Sequence, residues 1–314
     1  RMMCANGEIE GAFRKGKLYM IPAKAEKPID KRKLHNKTRC GEFADIFKAI
    51  DIKKAMLDSM RPLTAGEIQR LRDEFMVEFT YNSNAIEGNT LTLKETAMVL
   101  EGMTIDRRPL KDHLEAVGHR DAFLYIENIA QSKVRLSEAK IKAIHSFVLM
   151  DKPDDKGVYR KIPVTIAGAY TEPCQPYLIE PKMTALLKEN ENRKKVMHPI
   201  ERIARFHLEF EGIHPFIDGN GRTGRLVLNL ELIQSGYPAI NIKFADRKRY
   251  YEAFDSFYRD GKAEKMILLI AEYVSERLDR YLKIIKEYLW IFDGGIIEYA
   301  FVRYKIIKID TLTG

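Results

Sequence analysis

The stretch His214-Pro215-Phe216-Ile217-Asp218-Gly219-Asn220-Gly221-Arg222-Thr223-Gly224-Arg225-Leu226 packs an imidazole, a carboxylate, two glycines around an asparagine and two guanidinium groups into one tight turn. The residues after it, Val227 to Ser235, are almost wholly apolar through Val227, Leu228, Leu230, Leu232 and Ile233. A helix with so little polar face is a buried helix. The turn therefore sits at the N-terminus of a core helix. The first backbone N–H groups there lack internal partners and carry the positive end of the helix dipole. Gly219 and Gly221 let the backbone come close to a ligand. Together these features make an anion site suited to a polyphosphate.

Each side chain in the turn has a matching task. Arg222 and Arg225, three residues apart, fall on one side of the first helical turn and can fork phosphate oxygens. Asp218 is a hard oxygen ligand of the kind Mg²⁺ takes when it bridges a carboxylate and substrate phosphates. An imidazole of ordinary pKa, near ~6.5, is largely neutral at cellular pH, so His214 can accept a proton. These residues suit attack by a hydroxyl on a nucleotide phosphate, with a helix end and a metal holding the charge.

The turn resembles the motif of the Fic family, H-x-F-x-[DE]-G-N-G-R-x-x-R, at every defined position: His214, Phe216, Asp218, Gly219, Asn220, Gly221, Arg222 and Arg225. The resemblance implies transfer of AMP from ATP to a Ser, Thr or Tyr hydroxyl of a target protein, with Mg²⁺ as cofactor. In the Doc branch, which phosphorylates instead, a Lys typically replaces the second Gly, so Gly221 favours nucleotidyl transfer. By the same resemblance His214 is the base and Asp218 holds the metal. Gly219, Asn220, Gly221, Arg222, Gly224 and Arg225 hold the phosphates.

A second stretch, Ser83-Asn84-Ala85-Ile86-Glu87-Gly88-Asn89, matches the family's inhibitory motif, [ST]-x-x-x-E-[GN], through Ser83, Glu87 and Gly88. The resemblance implies that Glu87 reaches Arg225 and takes the place of the ATP γ-phosphate. A carboxylate and a phosphate compete for the same guanidinium donors. ATP held about 1 Å out of line can lose ~10²-fold in rate. An inhibitory motif N-terminal to the core is similar to the class II branch.

Two further segments gain a role from the resemblance. Tyr250 and Tyr251 fall where Fic enzymes hold adenine, and Tyr258 stands where many relatives have Asn. Stacking an aromatic ring on a base contributes roughly 1–3 kcal/mol. The run from Gly157 to Gly168 is β-branched, alternating and bounded by Gly and Pro, which predicts a hairpin. In Fic enzymes a hairpin flap here clamps the target by strand addition. That places target docking at Thr165, Ile166, Ala167 and Gly168.

Composition bounds the rest. Hydrophobic residues make up 45% and charged residues 31%, as in a globular protein. No apolar run nears the ~18 residues of a membrane span, and no secretion leader is visible. Cys4, Cys40 and Cys174 are scattered and odd in number, which suits a reducing cytoplasm. The formal charge of +8 fits affinity for anions, or simply a Lys-rich solvated surface.

Three segments are expected. Residues 1–30 read as short strands around a basic turn at Lys15-Gly16. They resemble the wing of excisionase- and MerR-like winged helix-turn-helix domains, with Arg1 to Ala5 as the tail of a recognition helix. A basic wing can contact DNA phosphates. Residues 31–285 form the Fic domain after a Lys- and Pro-rich linker. Capping boxes at Thr64 and Thr92 open two of its helices, the first running to about Asn82. His145 and His207 read as packed core residues. Residues 286–314 are β-like, and an exposed hairpin edge there could join two copies in a homodimer.

The fold expected is all-α, a Fic-type helical bundle with a small β-hairpin flap and short β segments at both termini. Three alternatives stay open on the sequence: another nucleotide donor such as UTP, removal of AMP by water aligned by Glu87, and a DNA-bound regulator whose core only senses ATP.

Overall fold

The computed structural model describes residues 13–15, 18–20, 43–60, 62–132, 134–166, 172–291, 299–302 and 305–308. Among these are ten α-helices: α1 Ala44–Ser59, α2 Ala65–Ile86, α3 Leu93–Leu100, α4 Leu110–Gln131, α5 Glu138–Val148, α6 Ile179–Arg193, α7 Pro199–Ile213, α8 Asn220–Gln234, α9 Arg247–Asp260 and α10 Glu264–Ile291. Contacts divide the chain into two units, Arg1–Ala49 and Ile50–Gly314. The second carries the chemistry.

Local sequence explains where its helices begin. Thr64 and Thr92 each close a capping box, accepting from the backbone N–H of Glu67 and Glu95 while those carboxylates take the cap N–H. Ser137 caps α5. Pro199 occupies the first turn of α7, where its missing N–H costs nothing. One expectation shifts. Helix α2 continues past Asn82 to Ile86, so Ser83 lies in its last turn.

Helix α8 is the central rod. Its Leu226, Val227, Leu228, Leu230 and Leu232 are all buried, and it packs against α4, α5 and α7. Polar ties fix its C-terminal half. Asn229 accepts from Ile240 N–H and donates to Ile240 O, at 2.7 and 2.9 Å. Glu231 pairs with buried Arg202, which also donates to Asn190 Oδ1 at 2.8 Å. A buried ion pair is tolerated only when both partners are further hydrogen-bonded, as the arginine is here.

The expected β part of the fold needs correction. The helical body contains no strand among the described residues, and 157–166 is not a hairpin. Its backbone is drawn to other partners. Gly157 N–H donates to His145 Nδ1 and Arg160 N–H to Pro215 O, while Pro163 has no N–H to offer a ladder. Alternation of β-branched residues was therefore a misleading signal. Thr165 and Ile166 are described in this segment; Ala167 and Gly168 lie outside the described residues. Among the described residues, strands occur only as two separate two-stranded antiparallel ladders, Phe13–Lys15 with Leu18–Met20 and Tyr299–Val302 with Lys305–Lys308. Arg1 to Ala5, read as a recognition-helix tail, also lie outside the described residues. No helix of the described residues is long and apolar enough to cross a membrane.

The seam between α4 and α5 gives a test of this packing. A Cβ on Gly118 would lie 2.2 Å from the Phe147 carbonyl oxygen, a backbone atom that cannot step aside. Gly118→Ala, which would gain about 1 kcal/mol in an exposed helix, should instead lose about 1–3 kcal/mol. Urea unfolding of the two proteins measures the sign.

Candidate active site

Helix α7 delivers His214. The residue takes a left-handed backbone conformation, φ 51° and ψ 62°, which turns the chain out of the helix. For a residue with a Cβ this conformation costs about 1–2 kcal/mol, so the surroundings must hold it. His214 N–H donates to Phe210 O at 3.0 Å. Its own carbonyl accepts from Arg160 Nε at 2.8 Å, and the next carbonyl, Pro215 O, from Arg160 N–H at 3.0 Å.

Asn220 staples the turn. Its Oδ1 accepts from Phe216 N–H and its Nδ2 donates to Phe216 O, both at 2.9 Å. Expected among the phosphate ligands, Asn220 has its amide engaged within the loop, which leaves its backbone for a ligand. Phe216 is buried and stacks flat on His145, with ring centroids 3.7 Å apart. His145 Nδ1 accepts from Gly157 N–H at 2.8 Å, so its Nε2 carries the proton and donates to Asp218 O at 2.9 Å. His145 is a core residue, as expected, and also a hydrogen-bonded prop for the loop.

Asp218 presents its carboxylate beside the helix start. Oδ1 accepts from Gly219 N–H at 2.6 Å and lies 3.4 Å from Arg222 Nη2, while Oδ2 accepts from Lys152 Nζ at 2.8 Å. Burial acts to raise its pKa, but Lys152 and Arg222 prevail and hold it at about 2. Arg222 is buried, within 2.9 Å of Glu115, and does not line the cleft. The phosphate fork expected of it is not displayed.

Arg225 is bound to the end of α2. Its Nε donates to Ser83 Oγ at 3.0 Å, and Nη2 donates to Ser83 O at 2.7 Å and to Glu87 Oε1 at 2.8 Å. Nη1 lies 3.4 Å from the Tyr250 hydroxyl. Burial works against its charge, yet Glu87 and Tyr250 raise its pKa. Gly88, at φ 97°, lets the chain leave α2 directly after Glu87. A Cβ on Gly221 would lie 2.2 Å from Glu87 Oε1. The carboxylate thus rests against the first turn of α8, where an anion is favoured.

These groups border a cleft of about 460 Å³. His214, Gly221, Arg225 and Glu87 line one side, and Tyr250, Tyr251, Phe254 and Tyr258 the other. The tyrosine hydroxyls are already engaged. Tyr250 meets His207 Nε2 at 2.7 Å, Tyr258 donates to Leu208 O at 2.8 Å, and Tyr251 reaches Ile86 O at 3.5 Å. Tyr250 is itself buried, and the ring left most open to a ligand is that of Tyr251. Ile166 of the expected docking segment also reaches the cleft, as do Glu211, Arg247 and Asp255. None of these last three was read from the sequence. The one available signal was for Glu211, which lies three residues before His214 and so on the same helix face. A larger groove of about 1150 Å³, with Leu71, Phe75, Tyr237 and Arg277 in its wall, holds none of the motif residues.

Burial sets the protonation states. His214 is pushed down to about 4, first by desolvation and then by Arg160. Desolvation likewise lowers His145 to about 4 and His207 to about 3. It raises Glu211 to about 8, helped by the nearby Glu87. The cleft therefore offers an uncharged imidazole and a protonated carboxyl beside an ionised Asp218. No group of three or more metal-ligating side chains occurs among the described residues. Asp218, with its side chain 34% exposed, is a single carboxylate beside an anion site. That suits Mg²⁺, which takes one or two carboxylates and completes its shell with phosphates and water. Lys152 would have to yield Oδ2.

The Fic/DOC family profile matches residues 135–232. The protein adenylyltransferase Fic of Drosophila yakuba is 31% identical over 274 residues, 84% of this chain and 54% of that protein. That of Nematostella vectensis is 32% identical over 267 residues, 81% of this chain and 61% of that protein. The chain thus spans little more than half the length of the curated relatives it matches. Among solved structures, a Fic domain containing signaling protein from Bacteroides thetaiotaomicron matches with a TM-score of 0.65 and 31% identity, over 76% of this chain and 95% of that one. Fic-1 from C. elegans matches with a TM-score of 0.68 and 25% identity, over 83% of this chain and 80% of that one.

The lowered histidine pKa values carry a pH dependence with a definite sign. Between the ordinary value near 6.5 and the folded values of about 4 and 3, the unfolded chain binds more protons at these three histidines, outnumbering the one proton that Glu211 retains in the folded state. Stability should therefore fall as pH drops through that window. The urea midpoint should decline from pH 6.5 to pH 4, and ¹⁵N NMR should show an uncharged His214 imidazole at pH 6. A His214 signal titrating near 6.5 would contradict the burial described.

Proposed function

This chain belongs to the Fic/DOC family, and from that premise we propose that it transfers AMP from ATP to a Ser, Thr or Tyr hydroxyl of a protein. The reading is supported by the name borne by its Drosophila and Nematostella relatives, protein adenylyltransferase Fic. One local observation carries it. An uncharged imidazole, an anion-seeking helix end and an aromatic wall share one cleft.

In this reading the triphosphate lies against the first turn of α8, on the backbone of Gly219 to Gly224 and the guanidinium of Arg225. Adenine rests on the exposed ring of Tyr251, with Tyr250, Phe254 and Tyr258 behind. The target hydroxyl attacks the α-phosphorus as its proton passes to His214. Nδ1 is buried on the Glu211 side, so Nε2 is the nitrogen left to accept it. A new P–O bond forms, the bond from the α-phosphorus to the bridging oxygen breaks, and pyrophosphate leaves. Mg²⁺ held by Asp218 would supply charge neutralisation on the phosphates. The target segment docks beside Thr165 to Gly168, with Ile166 at the cleft edge. Scattered cysteines suit the reducing cytoplasm as its setting.

Glu87 restrains the enzyme. Its carboxylate holds Arg225 and rests on Gly221, the position a terminal phosphate needs. Displaced phosphates leave the α-phosphorus out of line with the attacking oxygen, and a misplacement near 1 Å costs ~10²-fold.

Replacing Glu87 with Gly should therefore raise AMP incorporation, self-modification included, by about 10²-fold. His214→Ala in that background should abolish it. Transfer of label from α-³²P-ATP measures both. Equal labelling by native and Glu87→Gly protein would remove the inhibitory role, and faster labelling from α-³²P-UTP would reassign the donor.

A further inference from the structure

We propose that Arg160 is a positioning residue that fixes His214 through its main chain and ties it to both stems of the target-docking segment. The inference rests on the transfer reading above for its functional consequence. Its structural basis is independent of that reading.

Arg160 is 5% exposed and forms no ion pair among the described residues. A buried guanidinium without a carboxylate is costly unless its N–H groups are matched by acceptors. Every partner of Arg160 is a main-chain carbonyl. Nε donates to His214 O at 2.8 Å, Nη1 to Ile162 O at 2.9 Å and Nη2 to Cys174 O. Its backbone N–H adds Pro215 O at 3.0 Å. One planar fork thus joins three separate pieces of chain: the base residue, the segment entering 163–173 and the segment leaving it. Cys174 Sγ reinforces the second stem by reaching Ile213 O at 3.5 Å.

The geometry explains why an arginine is needed. His214 stands in a strained left-handed conformation, and strain of this kind persists only where neighbours over-determine it. Two of the carbonyls that set the direction of the chain at that point, those of His214 and Pro215, are both held by Arg160. A lysine could reach one carbonyl but cannot span three at fixed angles. Seating a target segment on 163–166 would therefore load the same guanidinium that sets the base.

The test uses Arg160→Met and Arg160→Lys in the Glu87→Gly protein, with His145 and His207 as internal references. In ¹⁵N-histidine NMR both variants should shift or broaden the His214 imidazole signal and leave those of His145 and His207 in place. An unmoved His214 signal would overturn the proposal. So would equal loss of all three signals, which would mean general unfolding. In the transfer assay kcat should fall by about 10²-fold, the scale of a 1 Å misplacement, while affinity for a fluorescent ATP analogue stays within about threefold. A kcat within threefold of the parent, or ATP affinity falling in step with kcat, would also overturn it. A Glu87→Gly parent that transfers nothing would sink the transfer reading instead, and the NMR comparison would still decide the role of Arg160.

Discussion

The N-terminus of α8 is a point of uncompensated positive potential inside a protein. Four backbone N–H groups lack intrahelical partners there, and the buried guanidinium of Arg225 lies one turn further on. Something negative must meet them. In this structure it is Glu87, carried by the last turn of a helix distant in sequence. The length of α2, the left-handed Gly88 and the missing side chain of Gly221 all serve that encounter. In the proposed reading a nucleotide brings a stronger anion to the same place, and restraint and activity are two occupants of a single electrostatic demand.

Desolvation does the second part of the work. A histidine in water would be part-protonated near neutrality, whereas His214 is driven toward the neutral form by burial and by Arg160. The same burial keeps Glu211 protonated, so it does not add a second negative charge beside Glu87. Asp218 escapes this fate because Lys152, Arg222 and Gly219 N–H supply direct contacts that outweigh its burial. In and beside the cleft, a neutral imidazole, a protonated carboxyl and an ionised carboxylate are therefore each set by their immediate contacts.

Rigidity is the third element. Asn220 and Phe216 close the glycine-containing turn on itself, while His145 at Asp218 O and Arg160 at His214 O tie it to buried neighbours. The tyrosine hydroxyls of the facing wall are hydrogen-bonded to His207, Leu208 O and Ile86 O, which fixes the planes of their rings. A cleft preorganised in this way gains affinity for a ligand, because less order is left to impose on binding.

Much of this was legible in the chain itself, wherever the relevant physics is local. The apolar run from Leu226 to Ile233 announced a buried helix, the residues before it announced an anion site, and the capping boxes at Thr64 and Thr92 marked helix starts. Each depends on neighbours within a few residues. Asn220 closes on Phe216 within its own turn. The partner of Arg222 was not legible, because Arg222 turns inward to Glu115, which only packing brings near. The hairpin expected at Gly157 to Gly168 failed for the same reason. Alternation records which residues suit a strand, but the backbone there bonds to His145 and Pro215, and no local pattern encodes that competition. Local sequence determined which groups could do chemistry. Tertiary structure decided which of them face the cleft, since burial and long-range hydrogen bonding are properties of the packed chain.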